Sequence, residues 1–453
     1  MSANNLNSYP LKIVGFTCIV LLLLSTVLPS KFWHAFGFNE VNIIADLSKQ
    51  EKHFTKMTKQ GKPLKQLVQD NIPANKEVAK IIRNDVAIEY QDTSSDEGLT
   101  TFLNALHQLK QKKRKKVRIG YFGDSMIEGD LVTQTIRTVF QNKFGGDGVG
   151  FIPVTSIVSD YRQTVKTKVS ENWKDIHYNN NKEKLLIGFS GHSFFPNQDA
   201  KLTVKPGGGK HLTGLYQLSL WCGRAESELV FQYNNEWIKA DAPGYFNKLK
   251  LSDKINKAEF VFQESNTPVF GLSSESEQGV ILDNFSFRGT SGTELTRLNS
   301  KMLKQIDSLH HYDLIVLHYG PNLLWNDSIK EFSWYKKQMV KTLKHLKNAF
   351  PNTSFLIVST ADKAFKVNGT YQTADGVEPL LKVQQELAQQ FNCAFYNLYE
   401  AMGGYNSMKT WAEKKPILAG NDYTHFNISG SAKIGRLISN AILNEYEKVF
   451  GAD

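Results

Sequence analysis

Cysteine is scarce in this chain: three residues in 453, with no Cys-x-x-Cys pair among them. That pattern offers no zinc-ribbon or thioredoxin-type motif and no disulfide framework, although it does not exclude an oxidising compartment. Cys18 sits in an apolar N-terminal stretch. Cys222 and Cys393 are far apart in sequence and can pair only if folding brings them together. Also missing are an internal repeat, a low-complexity tract, an RNP-like run and any helix with regularly spaced basic residues. The excess of basic over acidic residues, 54 against 44, gives a net charge of +10, but it is spread along the chain. Its one dense run, KKRKK at 112–116, reads as a solvated linker end. No nucleic-acid partner is therefore expected, and the basic surface suits anionic lipid or an acidic envelope polymer. With 41% hydrophobic, 11% aromatic and 22% charged residues, wholesale disorder is excluded, and the length calls for two or three domains.

Long uncharged runs are rare, and the one present is at the N-terminus. Residues 13–28, IVGFTCIVLLLLSTVL, follow Lys12 and precede Pro29 and Lys31. The run is at the short end for a membrane-spanning helix and the long end for a signal peptide. No Ala-x-Ala-like cleavage site follows, so an uncleaved signal anchor (1–31) is the expectation. The rest of the chain would then lie in the periplasm as a single-pass inner-membrane protein, or be secreted or periplasmic if the segment is removed. Residues 32–116, polar and rich in Lys, Gln and Asn, read as a partly helical stalk with a helix near 99–111.

At Val117 the texture changes. VRIGYF (117–122) is a buried-strand run ending in Gly-Asp-Ser, followed by apolar residues at helical spacing up to Gly145-Gly146. From about 150 to 278, short β-rich runs at 185–190, 202–206, 216–222, 228–233 and 258–263 are punctuated by Gly, Asn, Asp and Pro. This predicts an inserted all-β module, sandwich or jelly roll. After 279 strands and helices alternate again: strands at 279–287, 312–319, 354–360 and 394–399, helices at 334–350, 378–391 and 430–449. Alternation of this kind implies a parallel, doubly wound sheet whose ligands lie at the carboxyl ends of its strands.

The polar signals fall at such ends. Gly123-Asp124-Ser125 follows the first strand, where Ser125 could present both its hydroxyl and its N–H; capping a helix is the competing use of such a serine. Gly289 follows the next core strand in FRGTSG, as a close-approach backbone donor or an ordinary turn glycine. Asn322, in HYGPN after the third strand, offers a side-chain amide, or simple turn chemistry. Asp422 and His425 share the loop NDYTHFN before the last helix. A D-x-x-H spacing can set a carboxylate on the imidazole and leave Nε2 free to take a proton; Asn427 or Ser429 nearby could serve as the helix cap.

The order of these blocks is more telling than any one of them. Gly123-Asp124-Ser125 with Gly129, then Gly289, then Gly320-Pro321-Asn322, then Asp422-Tyr423-Thr424-His425, together resemble the SGNH (GDSL) hydrolases over about 200 residues, at 117–149 and 279–449. The resemblance implies a flavodoxin-like αβα sandwich, here at 117–149 and 279–453 with the module 150–278 inserted. It also implies acyl-ester chemistry needing no metal and no cofactor. Ser125 would be nucleophile, His425 base and then acid, and Asp422 its orienting carboxylate. The N–H groups of Ser125 and Gly289 and the side chain of Asn322 would form an oxyanion hole. A β-rich insertion between the first two blocks is similar to that of the peptidoglycan O-acetylesterases and wall O-acetyltransferases of Gram-negative bacteria. This leads to an expected O-acetylesterase acting on an envelope glycan, with acetylated glycan as substrate partner. A transferase using the same triad and a membrane-bound acyl donor is the alternative reading, and a non-catalytic glycan-binding scaffold is the other. The aromatics Trp221, Trp237 and Tyr245 of the insertion are candidate sugar-stacking residues.

Overall fold

The computed structural model describes residues 81–90 and 98–451. The segment 13–28, read above as an anchor, lies outside them; among the described residues no helix is long and apolar enough to cross a membrane.

A six-stranded sheet forms the centre. A short edge strand, Ile88–Glu89 (β1), is followed by Lys116–Gly123 (β2), Gly279–Asn284 (β3), Leu314–His318 (β4), Ser354–Val358 (β5) and Ala394–Tyr396 (β6). The spatial order is β1-β6-β5-β4-β2-β3. All neighbours are parallel except β1, which runs antiparallel to β6. Counting only the parallel strands, the order is the 2-1-3-4-5 of flavodoxin-like sheets, whose topological switch lies between the first and third. Here that is the gap between β2 and β4, and Ser125 and Asn322 follow those two strands.

The strands are apolar throughout because both faces are covered. Along β4, Leu314 and Val316 face one core while Ile315 and Leu317 face the other; β5 repeats the alternation with Leu356 and Val358 against Phe355 and Ile357. On the first face pack Thr100–Lys110 (α1), Leu131–Phe144 (α3) and the final helix Ile428–Phe450 (α9); the short turn Ser125–Glu128 (α2) precedes α3. On the second face lie Ser300–His310 (α4), Ser333–Ala349 (α5) and Val377–Gln390 (α6), and two short helices, Leu398–Met402 (α7) and Ser407–Glu413 (α8), return to the first. Helix α9 buries Ile434, Leu437, Ile438 and Ile442, each contributing roughly 1.5–3 kcal/mol. The helix expected near 99–111 is α1. It is part of this body, since Phe102, Leu103, Leu106 and Leu109 are in the core, and β1 pairs with β6.

The insertion is a sandwich of two antiparallel sheets. The outer sheet holds Val165–Val169, Ala200–Pro206, Ala258–Phe262, Leu229–Tyr233 and Glu236–Ala240; the inner holds Trp173–His177, His192–Pro196, Val269–Ser274, Leu215–Cys222 and Asn247–Ile255, with Gly150–Ile152 paired to Val269–Ser274. Outer strands alternate in and out, whereas Leu215–Cys222 is buried for most of its length. The reason is that the inner sheet packs on two cores: Leu218 and Leu220 face the sandwich, and Trp221 faces the α/β body beside Phe151 and Phe285. A buried charge cluster spans the seam, with Arg118 of β2 bonded to Asp283 at 2.7 Å and to Glu275, which also holds Lys116 and Lys248.

Two local expectations change. The apolar run 185–190 is not a strand: Gly188 N–H donates to the His192 carbonyl and to Ser193 Oγ, Gly191 turns back onto Gly188, and Ile187 and Phe189 drop into the second core. Trp221 is 1% exposed, its indole N–H donating to Ser273 Oγ at 3.0 Å, so it is core rather than a sugar-stacking surface. Cys222 and Cys393 are buried free thiols in different cores.

Candidate active site

Strand β2 delivers Ser125 to the switch point. Gly123 is needed at its end, because a Cβ there would lie 2.6 Å from Ile127 and 3.0 Å from the His318 carbonyl of β4. Asp124 caps the α2 turn, its Oδ1 accepting from Met126 N–H at 3.0 Å. The cap being Asp124, the Ser125 hydroxyl is left for other work. It lies 2.9 Å from Nε2 of His425.

His425 is held from the other side. Its Nδ1 is 2.7 Å from Asp422 Oδ2, while Asp422 Oδ1 accepts the backbone N–H groups of Thr424 and His425, both at 3.0 Å. One carboxylate thus folds its own loop and orients the imidazole. Tyr423 stacks face to face on Tyr371 with centroids 3.6 Å apart, and its hydroxyl donates to Glu413. The capping of α9 falls to Asn427, whose Oδ1 accepts Gly430 N–H at 2.9 Å. Asp422 and His425 are therefore not needed for the helix.

The electrostatics agree with this arrangement. The hydrogen bond to Asp422 raises the His425 pKa above the ordinary histidine value, burial working the other way. Burial pushes Asp422 up, but the hydrogen bonds from His425 outweigh it and the net shift is downward. Asp124, fully buried, is pushed up to about 6 by loss of hydration, and its Oδ2 makes no hydrogen bond among the described residues. The side chains of His425 and Asp422 remain 46% and 53% exposed, so the pair opens onto solvent rather than into a deep pocket.

Gly289 reaches the same rim because hydrogen bonding to β2 continues past the end of β3: Phe285 N–H donates to Tyr121 and Phe287 N–H to Gly123. Arg288 is clamped by Glu128 and Ser156, its backbone N–H donating to Glu128 Oε2 at 3.2 Å and its guanidinium to Ser156 Oγ at 3.0 Å. Gly289 has φ +70, a left-handed conformation, and a Cβ placed on it would meet open space. Asn322 donates one Nδ2 hydrogen to the Thr290 carbonyl at 3.0 Å. That bond ties the third-strand turn to the Gly289 loop and commits one of the two amide hydrogens.

Two features had no signal in the motif reading. Lys363, beyond β5, donates its ammonium to the carbonyls of Pro321 at 3.1 Å and Leu324 at 2.7 Å, gripping the turn that carries Asn322. Burial lowers its pKa, with Asp422 and Asp124 acting in the opposite sense. Trp325 and Trp334, both partly exposed, pair beside that turn. Among the described residues no group of three or more His, Cys, Asp or Glu side chains is placed to hold a metal ion.

Comparison with solved structures finds a peptidoglycan O-acetylesterase that matches 80% of this chain and 99% of its own, with TM-score 0.68 and 17% identity. The chain has the SGNH hydrolase fold. Shorter, looser matches include a lipase/acylhydrolase from Enterococcus faecalis (17% identity, 37% of this chain and 78% of that one, TM-score 0.27) and an acetyl xylan esterase (19%, 36% and 81%, TM-score 0.30). No family model matches the chain, and no curated protein matches it. The SGNH fold accounts for the parallel sheet and its helical layers, and the 80% coverage shows that the likeness extends well beyond the helices and strands of the sheet.

Proposed function

We propose that this protein is a serine esterase that removes O-acetyl groups from a cell-envelope glycan, peptidoglycan above all. The observation that carries the reading is the hydrogen-bonded chain from Ser125 Oγ to His425 Nε2 at 2.9 Å and from His425 Nδ1 to Asp422 at 2.7 Å. Neutral His425 takes the Ser125 proton as Oγ attacks the acetyl carbonyl, and Asp422 stabilises the imidazolium that forms. Ser125 N–H, Gly289 N–H and the second Asn322 amide hydrogen meet the developing oxyanion. His425 then protonates the departing sugar oxygen, leaving acetyl-Ser125. Water, deprotonated by His425, attacks that ester; acetate leaves and Ser125 recovers its proton.

The choice of an acetylated glycan is supported by the fold shared with a peptidoglycan O-acetylesterase and by the exposure of the His425–Asp422 pair, which suits an ester on a polymer. In this reading the uncharged stretch 13–28 anchors the chain in the inner membrane, the catalytic body faces the periplasm, and the sandwich, with exposed Trp237 on its edge strand, helps hold the polymer. The test is acetate release from O-acetylated peptidoglycan by the full-length protein. Release that disappears in Ser125→Ala supports the proposal. A correctly folded protein that hydrolyses small acetyl esters but leaves acetylated peptidoglycan untouched would refute the substrate.

A further inference from the structure

Trp325 is 57% exposed and Trp334 is 42% exposed, yet their rings lie together, centroids 6.3 Å apart at 42°. Among the described residues the other exposed large aromatics are Trp237 and Tyr405. Leaving two large aromatic faces in water is unfavourable, and paired exposed aromatics mark contact surfaces more often than single ones. Both are held in place. Trp325 directly follows Leu324, whose carbonyl accepts Lys363 Nζ at 2.7 Å. Trp334 lies in the first turn of α5 and meets buried Tyr335 edge-on. Beyond Trp325, Asp327 accepts the N–H of Asp375, and Asn326 Oδ1 accepts the N–H of Ser328, so the segment is a built loop.

Its position is informative. Trp325 is three positions beyond Asn322, a span of about 10 Å at most, and both sit on the turn gripped by Lys363. The surroundings are polar: Asn326, Asp327, Ser328 and Glu331 are all exposed. An apolar peptide or lipid would call for a continuous apolar patch, which this is not. Flat π faces bordered by amide, hydroxyl and carboxylate groups match a pyranose ring, which offers C–H groups on its faces and hydroxyls around its edge.

We propose that Trp325 and Trp334 form an aromatic subsite on the catalytic body that stacks on pyranose rings of the glycan strand carrying the ester, and that this subsite sets the preference for polymer over small ester. The proposal rests on the reading of the site as a glycan esterase. It places a sugar-holding surface next to Asn322, in addition to any held by the sandwich.

The experiment uses full-length Trp325→Ala, Trp334→Ala and the double variant, with 4-nitrophenyl acetate and soluble O-acetylated peptidoglycan strands as substrates. The ratio of kcat/KM on strands to kcat/KM on the small ester should fall roughly tenfold in the double variant, through KM. Phe at either position, which keeps a flat face, should restore most of it. Equal losses on both substrates, or no change in the ratio, would overturn the subsite. Strand binding measured by isothermal titration calorimetry, in Ser125→Ala and in Ser125→Ala lacking both tryptophans, separates the two claims. If the wild type releases no acetate from strands while binding still depends on Trp325 and Trp334, the proposed function fails and the subsite stands. If strands bind equally well without the two tryptophans, the subsite fails whatever the acetate assay shows.

Discussion

Ser125 and His425 are 300 residues apart in sequence, yet Oγ of one lies 2.9 Å from Nε2 of the other. Neither residue is spent on the helix beside it. Asp124 caps α2 and Asn427 caps α9, so the serine and the imidazole are free to meet across the sheet rim.

The Asp422 bond has a pH consequence. It raises the His425 pKa, so the imidazole stays protonated to higher pH and the basic form needed for attack appears only above that value. The acid limb of kcat/KM should therefore lie above the ordinary histidine range. Asp422→Asn removes the raising contact, so the limb should move to lower pH while the plateau falls by about 10²–10⁴-fold. A pH profile whose acid limb does not move in Asp422→Asn would argue against His425 as the titrating base.

Asn322→Ala deletes the proposed oxyanion donor and the tie to the Thr290 carbonyl. A loss of about 10²–10³-fold, concentrated in kcat, is expected. Gly289→Ala should be milder, because its methyl would face open space and the cost is the left-handed backbone alone, roughly 1–2 kcal/mol of strain. Steady-state kinetics with a small acetyl ester tests both; an Asn322→Ala enzyme with unchanged kcat would remove this residue from the mechanism.

Lys363→Met frees the carbonyls of Pro321 and Leu324 from their shared donor. Lys363 is a positioning residue, so kcat should fall by about tenfold to a hundredfold with KM little changed, and Lys363→Arg, which retains donors, should recover part of it. A loss confined to KM would point to substrate contact instead.

Asp124 carries a stability prediction with a definite sign. Its folded-state pKa is raised to about 6 from an ordinary 3.8, so the folded protein holds the proton more tightly. Its contribution is favourable at low pH and is lost as pH rises through about 6. Asp124→Asn cannot ionise, so its stability relative to wild type should improve between pH 4 and 7, by up to about 3 kcal/mol. Urea unfolding across that range measures it; a difference independent of pH would mean the carboxyl does not titrate there.

The parallel sheet was legible because strands buried on both faces are apolar throughout; the turns after two of them carry the Gly-Asp-Ser and Gly-Pro-Asn blocks, and the loop before the last helix carries Asp-x-x-His. The insertion was harder. Its inner sheet packs on two cores, which hides the alternation that marks a half-exposed strand, and 185–190 has a strand's composition but is bent by the Gly188–Gly191 turn. Lys363 was invisible because its role depends on two carbonyls 39 and 42 residues away. Trp325 stood three residues past a site motif, but nothing in composition distinguishes an exposed tryptophan from a core one, and Trp221 shows the opposite outcome.

The most direct test of the central claim is covalent. A serine-directed fluorophosphonate should modify the full-length protein once, on Ser125, with labelling strongly slowed in a folded His425→Ala variant. Peptide mapping that places the adduct on another serine, or labelling of Ser125 that proceeds equally fast without His425, would contradict the account.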